Sequence, residues 1–226
     1  MTKEREHKPL VFLTEELQFP PVEDANAEGL LAVGGDLSIE RLILAYKSGI
    51  FPWFNEGSLI LWWSPNPRMV LFPEKIRITK SMRKVLKGKR FILTKNTCFK
   101  EVIEQCSLVK REGQDGTWIT SKMRDAYIHL HESGFATSYE VWEDNKLAGG
   151  LYGIDLGHIF CGESMFSLSN NASKFAFIKL AEELQQKQYH LIDCQQYTSH
   201  LESLGAEEIS RKKFIEFLKD TKPKNP

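Results

Sequence analysis

Residues 136–167, ATSYEVWEDNKLAGGLYGIDLGHIFCGESMFS, constrain the fold of this chain more than any other segment. Three apolar runs, 136–142, 147–154 and 158–166, are separated only by Asp144-Asn145 and by residues 155–157. β-branched and aromatic residues favour strands, and the Asp, Asn and Gly residues between them favour tight turns. Turns this short can join only antiparallel neighbours, so the segment predicts a three-stranded antiparallel meander. The third strand raises a chemical question. Strict alternation places Cys161, Glu163 and Met165 on one face and Phe160, Ser164 and Phe166 on the other. A carboxylate then lies between a thiol and a thioether in a run that otherwise favours burial, where an unpaired charge is costly.

The rest of the chain surrounds the meander with helices. SIERLILAYKSG reads as a helix capped by Ser38, with Arg41, Leu42, Ala45 and Tyr46 at helical spacing and Gly49 as its stop. IFPWFNEGSLILWWSPNPRMVLF gathers Trp53, Trp62 and Trp63 into one aromatic segment, and Pro65 and Pro67 mark a bend or a sheet edge. PEKIRITKSMRKVLKGKR carries eight basic residues against one acid, Glu74. If residues 79–87 are helical, Lys80, Arg83, Lys84 and Lys87 share a face. A strand follows at FILTKN, then a helix through TCFKEVIEQCSLV capped by Thr97 or Asn96, a loop KREGQDGTWIT, and a helix ended by Gly134. After the meander come a helix (171–188), a strand (189–195), a short helix near 198 and a last helix from Ser210. The order predicts an α/β (α+β) protein. Residues 73–226 form an acetyltransferase-like (GNAT-type) domain with a splayed, mostly antiparallel sheet, and residues 1–72 a small aromatic-rich N-terminal domain. In that fold an acyl donor binds where the sheet splays.

Several functions are disfavoured by the same residues. Lys plus Arg and Asp plus Glu are both 30, so a protein that coats long duplex, usually basic overall, is a poor fit, whereas a local patch for one RNA end is compatible. The cysteines, Cys98, Cys106, Cys161 and Cys194, form no C-x-x-C pair and none lies beside a histidine at ligand spacing. No metal is expected, and scattered thiols fit a reducing cytoplasm. The charged start MTKEREHKPL has no signal-peptide core, and no apolar run approaches a membrane span. Coenzyme A would need a glycine-rich cradle of amides before the long helix, yet SLSNNASK has no glycine. An acetyl-CoA-type N-acyltransferase is therefore the weaker enzyme reading, and a non-catalytic RNA-binding module leaves Glu163, Asp193 and Gln195 unexplained.

GLLAVGGDLSIERLILAYKSGIFPWFNEG, LWWSPNPRMVLFPE, GTWIT, GGLYG, FCGESMFS with NASK, LIDCQ and HLESLGA occur in that order. Together, from about residue 19 to about 218, they resemble the leucyl/phenylalanyl-tRNA–protein transferase family. The resemblance implies transfer of leucine or phenylalanine, and weakly methionine, from aminoacyl-tRNA to proteins or peptides beginning with arginine or lysine. The product is marked for degradation by the N-end rule. It implies a cytoplasmic enzyme with no cofactor, metal or membrane partner; a monomer is the expected state.

The chemistry sets what the residues must do. An aminoacyl ester is already activated. The enzyme must bring an amine of ordinary pKa about 8 to the carbonyl, accept its proton and steady an oxyanion. In LIDCQ, Asp193 and Gln195 are expected on one face, with Ile192 and Cys194 on the other. By resemblance Gln195 contacts the attacking amine and Asp193 orients it or attracts the positive acceptor residue. The plainer reading makes Asp193 a cap for the helix at 198. A catalytic thiol is disfavoured, because no histidine is placed to activate one. The donor side chain is expected among Leu151, Phe160, Met165, Phe177 and Leu180, with Glu163 at the pocket mouth binding the donor's amine. The plainer reading pairs Glu163 with Lys174. Position 151 is leucine where many members carry methionine, and Thr198 stands where asparagine is common. Tyr46, Trp53 and Trp118 are the expected adenosine stacking contacts, with Tyr127 as a hydrogen-bond donor, and at least one of Trp62 and Trp63 is expected in the core. Lys75, Arg77, Lys80, Arg83, Lys84 and Lys87 are expected to hold RNA phosphates, which positions the RNA without reading its bases.

Overall fold

The computed structural model describes residues 10–109 and 119–221. Its first part contains strands β1 (Val11–Leu13) and β2 (Leu30–Gly34), helix α1 (Ile39–Lys47), and strands β3 (Phe51–Pro52) and β4 (Leu61–Trp63). Ser38 caps α1 by accepting from the Arg41 N–H, and Gly49 follows at φ +77°. These strands form a small sheet in the order β1-β2-β4-β3. The chain continues through β5 (Arg68–Leu71), α2 (Lys80–Lys87), β6 (Ile92–Lys95), α3 (Phe99–Leu108) and α4 (Ser121–Glu132). The meander is β7 (Ala136–Glu143), β8 (Lys146–Asp155) and β9 (Ile159–Ser167), within a residue of the sequence-based bounds. Then come α5 (Ala172–Gln186), β10 (Leu191–Gln195), α6 (Ser199–Ser203), β11 (Glu207–Ile209) and α7 (Arg211–Lys219).

The main sheet has seven strands in the order β11-β5-β10-β9-β8-β7-β6. Only β9 and β10 run parallel. Their pairing stops at Asp193 opposite Cys161, although β9 continues to Ser167. Past that point the sheet opens into a splay. Strand β5, which the aromatic composition groups with the first part, lies inside this sheet between β10 and β11. Its PNP flank reads as an edge, but the strand itself is fully buried. The cap of α3 also differs from expectation. Cys98 holds that position, because the Asn96 side chain accepts from the Ser138 N–H and the Thr97 N–H turns to Glu140.

Side-chain alternation divides the core between the two faces of the sheet. Val70, Tyr152, Ile154, Cys161 and Leu191 join one apolar cluster with α1, α3, α4 and α7, and this cluster also takes in Leu31, Ala32 and Trp62 of the small sheet. Met69, Leu71, Leu151, Phe160 and Ile192 join the other, with α2 and α5. Strand β9 departs from strict alternation. Tyr152 pairs with Ser164 but Gly153 with Gly162, so β9 carries one extra residue, Glu163. This bulge is why Phe160 and Met165 contact the same cluster, which the sequence reading had put on opposite faces. Gly153 is needed opposite the bulge, since a Cβ there would lie 2.2 Å from the Cys161 carbonyl oxygen.

Candidate active site

A cavity of about 620 Å³ opens at the splay. Bulges beside a site commonly re-aim one side chain, and here two irregularities meet. One places Glu163 in the cavity wall. The other is a register shift between Asp193 and Gln195, with Gln195 at φ +65°. Because of it, Asp193 and Gln195 do not share a face as the alternation suggested. Ile192, Cys194 and Gln195 line the cavity. Asp193 turns away, is 1% exposed, and forms a two-pronged ion pair with Arg68: Nε to Oδ1 at 2.8 Å and Nη2 to Oδ2 at 2.7 Å. It is not among the residues that line the cavity, and α6 is capped by Thr198 instead.

Glu163 is the centre of a buried polar network. Gln195 Nε2 donates to its Oε1 at 2.7 Å, and the Tyr127 hydroxyl donates to its Oε2 at 3.0 Å. The Tyr46 hydroxyl pairs with that of Tyr127. Since the Tyr127 proton is directed at Glu163, Tyr46 must be the donor in that pair. Burial raises the Glu163 carboxyl to about 7, the Asp193 charge adds to the rise, and the tyrosine and Gln195 hydrogen bonds oppose it. Burial, then the Glu163 charge, push both phenols well above their ordinary value, so they remain donors. With its amide nitrogen committed to Glu163, Gln195 has its carbonyl oxygen available for a donor N–H. No ion pair joins Glu163 to Lys174 or to another cation among the described residues; the carboxylate is 8% exposed and lines the cavity.

Leu151, Phe160, Met165, Phe177 and Leu180 all line this cavity, joined by Ile192 and Cys194. The last two were legible as the opposite face of LIDCQ. Burial, ahead of the Asp193 charge, raises the thiols of both Cys161 and Cys194, so neither is a thiolate near neutrality. Trp53 lines the entrance and is braced by Trp63, whose Nε1 donates to the Trp53 carbonyl at 2.7 Å. Trp62 is fully buried in the core. Tyr46 and Tyr127 are 1% and 0% exposed, so neither offers a face on which a base could stack. Trp118 lies outside the described residues.

The basic segment forms α2 as expected, capped by Thr79. Its apolar side packs through Met82, Val85 and Leu86, and Lys80, Arg83, Lys84 and Lys87 are exposed along with Arg77. None of these five has an ion-pair partner among the described residues. Lys75 differs, because it is paired with Glu207 at 2.6 Å. Among the described residues no cluster of three or more His, Cys, Asp or Glu is placed to hold a metal ion, and no helix is long and apolar enough to cross a membrane.

The splay of the main sheet thus holds an apolar cavity with a carboxylate and a carboxamide converging in its wall. Residues 70–219 match the family model described as leucyl/phenylalanyl-tRNA protein transferase, and residues 35–66 match the model of that enzyme's N-terminal domain. The chain is 61% identical over 210 residues to the leucyl/phenylalanyl-tRNA–protein transferase of Flavobacterium johnsoniae, covering 93% of this chain and 99% of that one. It is 58% identical over 211 residues to the same-named enzyme of Christiangramia forsetii, covering 92% and 100%. The chain therefore belongs to the leucyl/phenylalanyl-tRNA–protein transferase family, and it is a transferase. Among solved structures, a GCN5-related N-acetyltransferase from Kribbella flavida is similar at TM-score 0.36 and 8% identity, covering 74% of this chain and 60% of that one. That likeness is too distant to carry an argument.

Proposed function

We propose that this enzyme moves leucine or phenylalanine from the 3′ end of a charged tRNA to the α-amine of a protein or peptide beginning with arginine or lysine. The observation that carries the reading is the cavity itself: a hollow of about 620 Å³ with largely apolar walls, with Glu163 and Gln195 converging beside them. The donor side chain lies among Leu151, Phe160, Met165, Phe177 and Leu180. Methionine is a poorer donor, because pocket shape alone discriminates such side chains by only about 1–3 kcal/mol. Trp53 at the entrance stacks on the terminal adenosine, with Trp118 as the other expected platform; a stacked base contributes about 1–3 kcal/mol.

In the reaction, the acceptor nitrogen attacks the ester carbonyl carbon. A C–N bond forms, the ester C–O bond breaks, and the ribose oxygen leaves as a hydroxyl. The Gln195 carbonyl oxygen accepts one amine hydrogen and fixes the nitrogen's line of attack. An amide is too weak a base to take the proton. Glu163, with its carboxyl poised near neutrality, is the group matched to that task, and it returns the proton to the departing ribose oxygen. The product, a protein with a new N-terminal leucine or phenylalanine, is a cytoplasmic N-end-rule substrate in this reading.

The test is a transfer assay with labelled phenylalanyl-tRNA and a peptide starting with arginine. Label in the peptide is expected. Label from acetyl-CoA instead, or tRNA binding without transfer, would overturn the reading.

The exposed basic face of α2, with Arg77, holds the acceptor stem through its phosphates. Reversing Arg83 and Lys84 to glutamate should weaken tRNA binding at low salt and flatten its salt dependence by about two units of log–log slope. Filter binding across a salt series checks this. Unchanged affinity would move the RNA site elsewhere.

A further inference from the structure

We infer that Arg68 is the positioning residue for Gln195, acting through Asp193. This rests on the reading above that Gln195 meets the attacking amine. Arg68 is 1% exposed at the start of β5, near the end of the aromatic segment. Its guanidinium lies 4.8 Å from the Phe51 ring centroid and 4.6 Å from that of Phe214. Its Nη1 donates to the Gly49 carbonyl at 3.3 Å. Contacts from α7, β3 and the end of α1 thus hold the guanidinium in place before it meets Asp193. The fork to Asp193 then fixes the orientation of that carboxylate. From that orientation Asp193 Oδ1 accepts the Gln195 backbone N–H at 2.9 Å.

That last bond matters because Gln195, although paired with Met69 of β5, sits just past a break in the register. The register shift breaks regular pairing next to it, and its φ of +65° is one that only glycine adopts without strain. The Asp193 oxygen adds a second hold on this backbone beside the pairing with Met69, and the backbone directs the side chain to Glu163 Oε1. The chain of contacts is Phe51 and Phe214 to Arg68, to Asp193, to the Gln195 backbone, to the Gln195 amide. Lysine carries the charge but not the fork, so the two can be separated experimentally.

The experiment measures kcat, donor KM and melting temperature for Arg68→Lys, Arg68→Gln and Arg68→Gln/Asp193→Asn, and for Gln195→Ala with and without Arg68→Gln. Arg68→Gln should lower kcat by about 100-fold, the scale of a misplaced reacting group, with donor KM changed by less than about threefold. Arg68→Lys should fold normally and still lose about tenfold in kcat. Arg68→Gln/Asp193→Asn leaves no uncompensated buried charge, so its melting temperature should return toward the parent value while kcat stays low. Because Arg68 acts through Gln195, adding Arg68→Gln to Gln195→Ala should cost no further rate beyond about threefold. A purely structural Arg68 predicts the reverse: losses that multiply, and normal kcat in any variant with normal melting temperature. Either result overturns the inference. Normal turnover by Gln195→Ala would instead overturn the reading of Gln195 beneath it.

Discussion

Gln195→Ala should remain folded, bind charged tRNA with the parent affinity, and transfer its amino acid about 100-fold more slowly. The side chain is half-buried and lines the cavity. What the substitution removes is a single carbonyl oxygen facing the site and a single N–H held by Glu163. Loss of the oxygen frees the amine to approach the ester from unproductive directions. Loss of the N–H leaves Glu163 with one donor fewer and raises its carboxyl further, since that hydrogen bond lowers it. Both changes act on the chemical step, so kcat falls and the donor KM holds. Single-turnover transfer with saturating peptide, paired with tRNA binding, separates the two. Parent-like turnover would remove Gln195 from the mechanism.

Glu163→Gln should abolish most transfer and also alter two pH profiles. The carboxyl is raised to about 7 in the folded protein, chiefly by burial. Glu163 therefore becomes an acceptor for the amine's proton only as pH rises through that value. In the parent enzyme, kcat at saturating substrates should climb across an acid limb near 7; in the variant the limb is lost. The stability effect has the opposite sign. A carboxyl whose folded value lies above its unfolded one favours the protonated folded state. Its contribution is present below the unfolded value, near 4.5, and is lost as pH rises through about 7. The melting temperature of Glu163→Gln relative to the parent should consequently be more favourable at pH 8 than at pH 5. An acid limb that survives the substitution would assign the proton to another group.

The elements with short turns and long apolar runs were legible in the sequence. The meander's turns at Asp144-Asn145 and 155–157, the cap at Ser38, and the amphipathic pattern of α2 each follow from local chemistry that tertiary contacts do not override. The pocket residues were legible through their family motifs, and the cavity gathers Leu151, Phe160, Met165, Phe177 and Leu180 in one wall. The errors share one cause. Period-two alternation assumes an unbroken strand, and both functional strands are broken at the residue that matters, β9 at Glu163 and β10 before Gln195. No composition signal marks either bulge; Gly153, which makes room opposite the first, was the nearest clue. Arg68 was missed because its partner is 125 residues away. A lone arginine beside two prolines reads as surface until the sheet order places β5 against β10. Tyr46 was expected as a stacking platform although its ring is buried, since the sequence identifies aromatic groups near a site without saying which end of the ring faces it; Tyr127, expected as a hydrogen-bond donor, donates to Glu163. Here the hydroxyls of Tyr46 and Tyr127 face the chemistry and the rings belong to the core.

The central claim is that the hollow at the splay receives the amino acid while it is still attached to adenosine. A crystal structure with a non-hydrolysable phenylalanyl-adenosine amide tests it most directly. The account predicts the phenyl ring among Leu151, Phe160 and Met165, with the Gln195 carbonyl oxygen within about 6 Å of the acyl carbon, which leaves room for an amine about 3–3.5 Å from that carbon. A ring bound elsewhere, with the hollow empty and Gln195 turned from the acyl group, would contradict it.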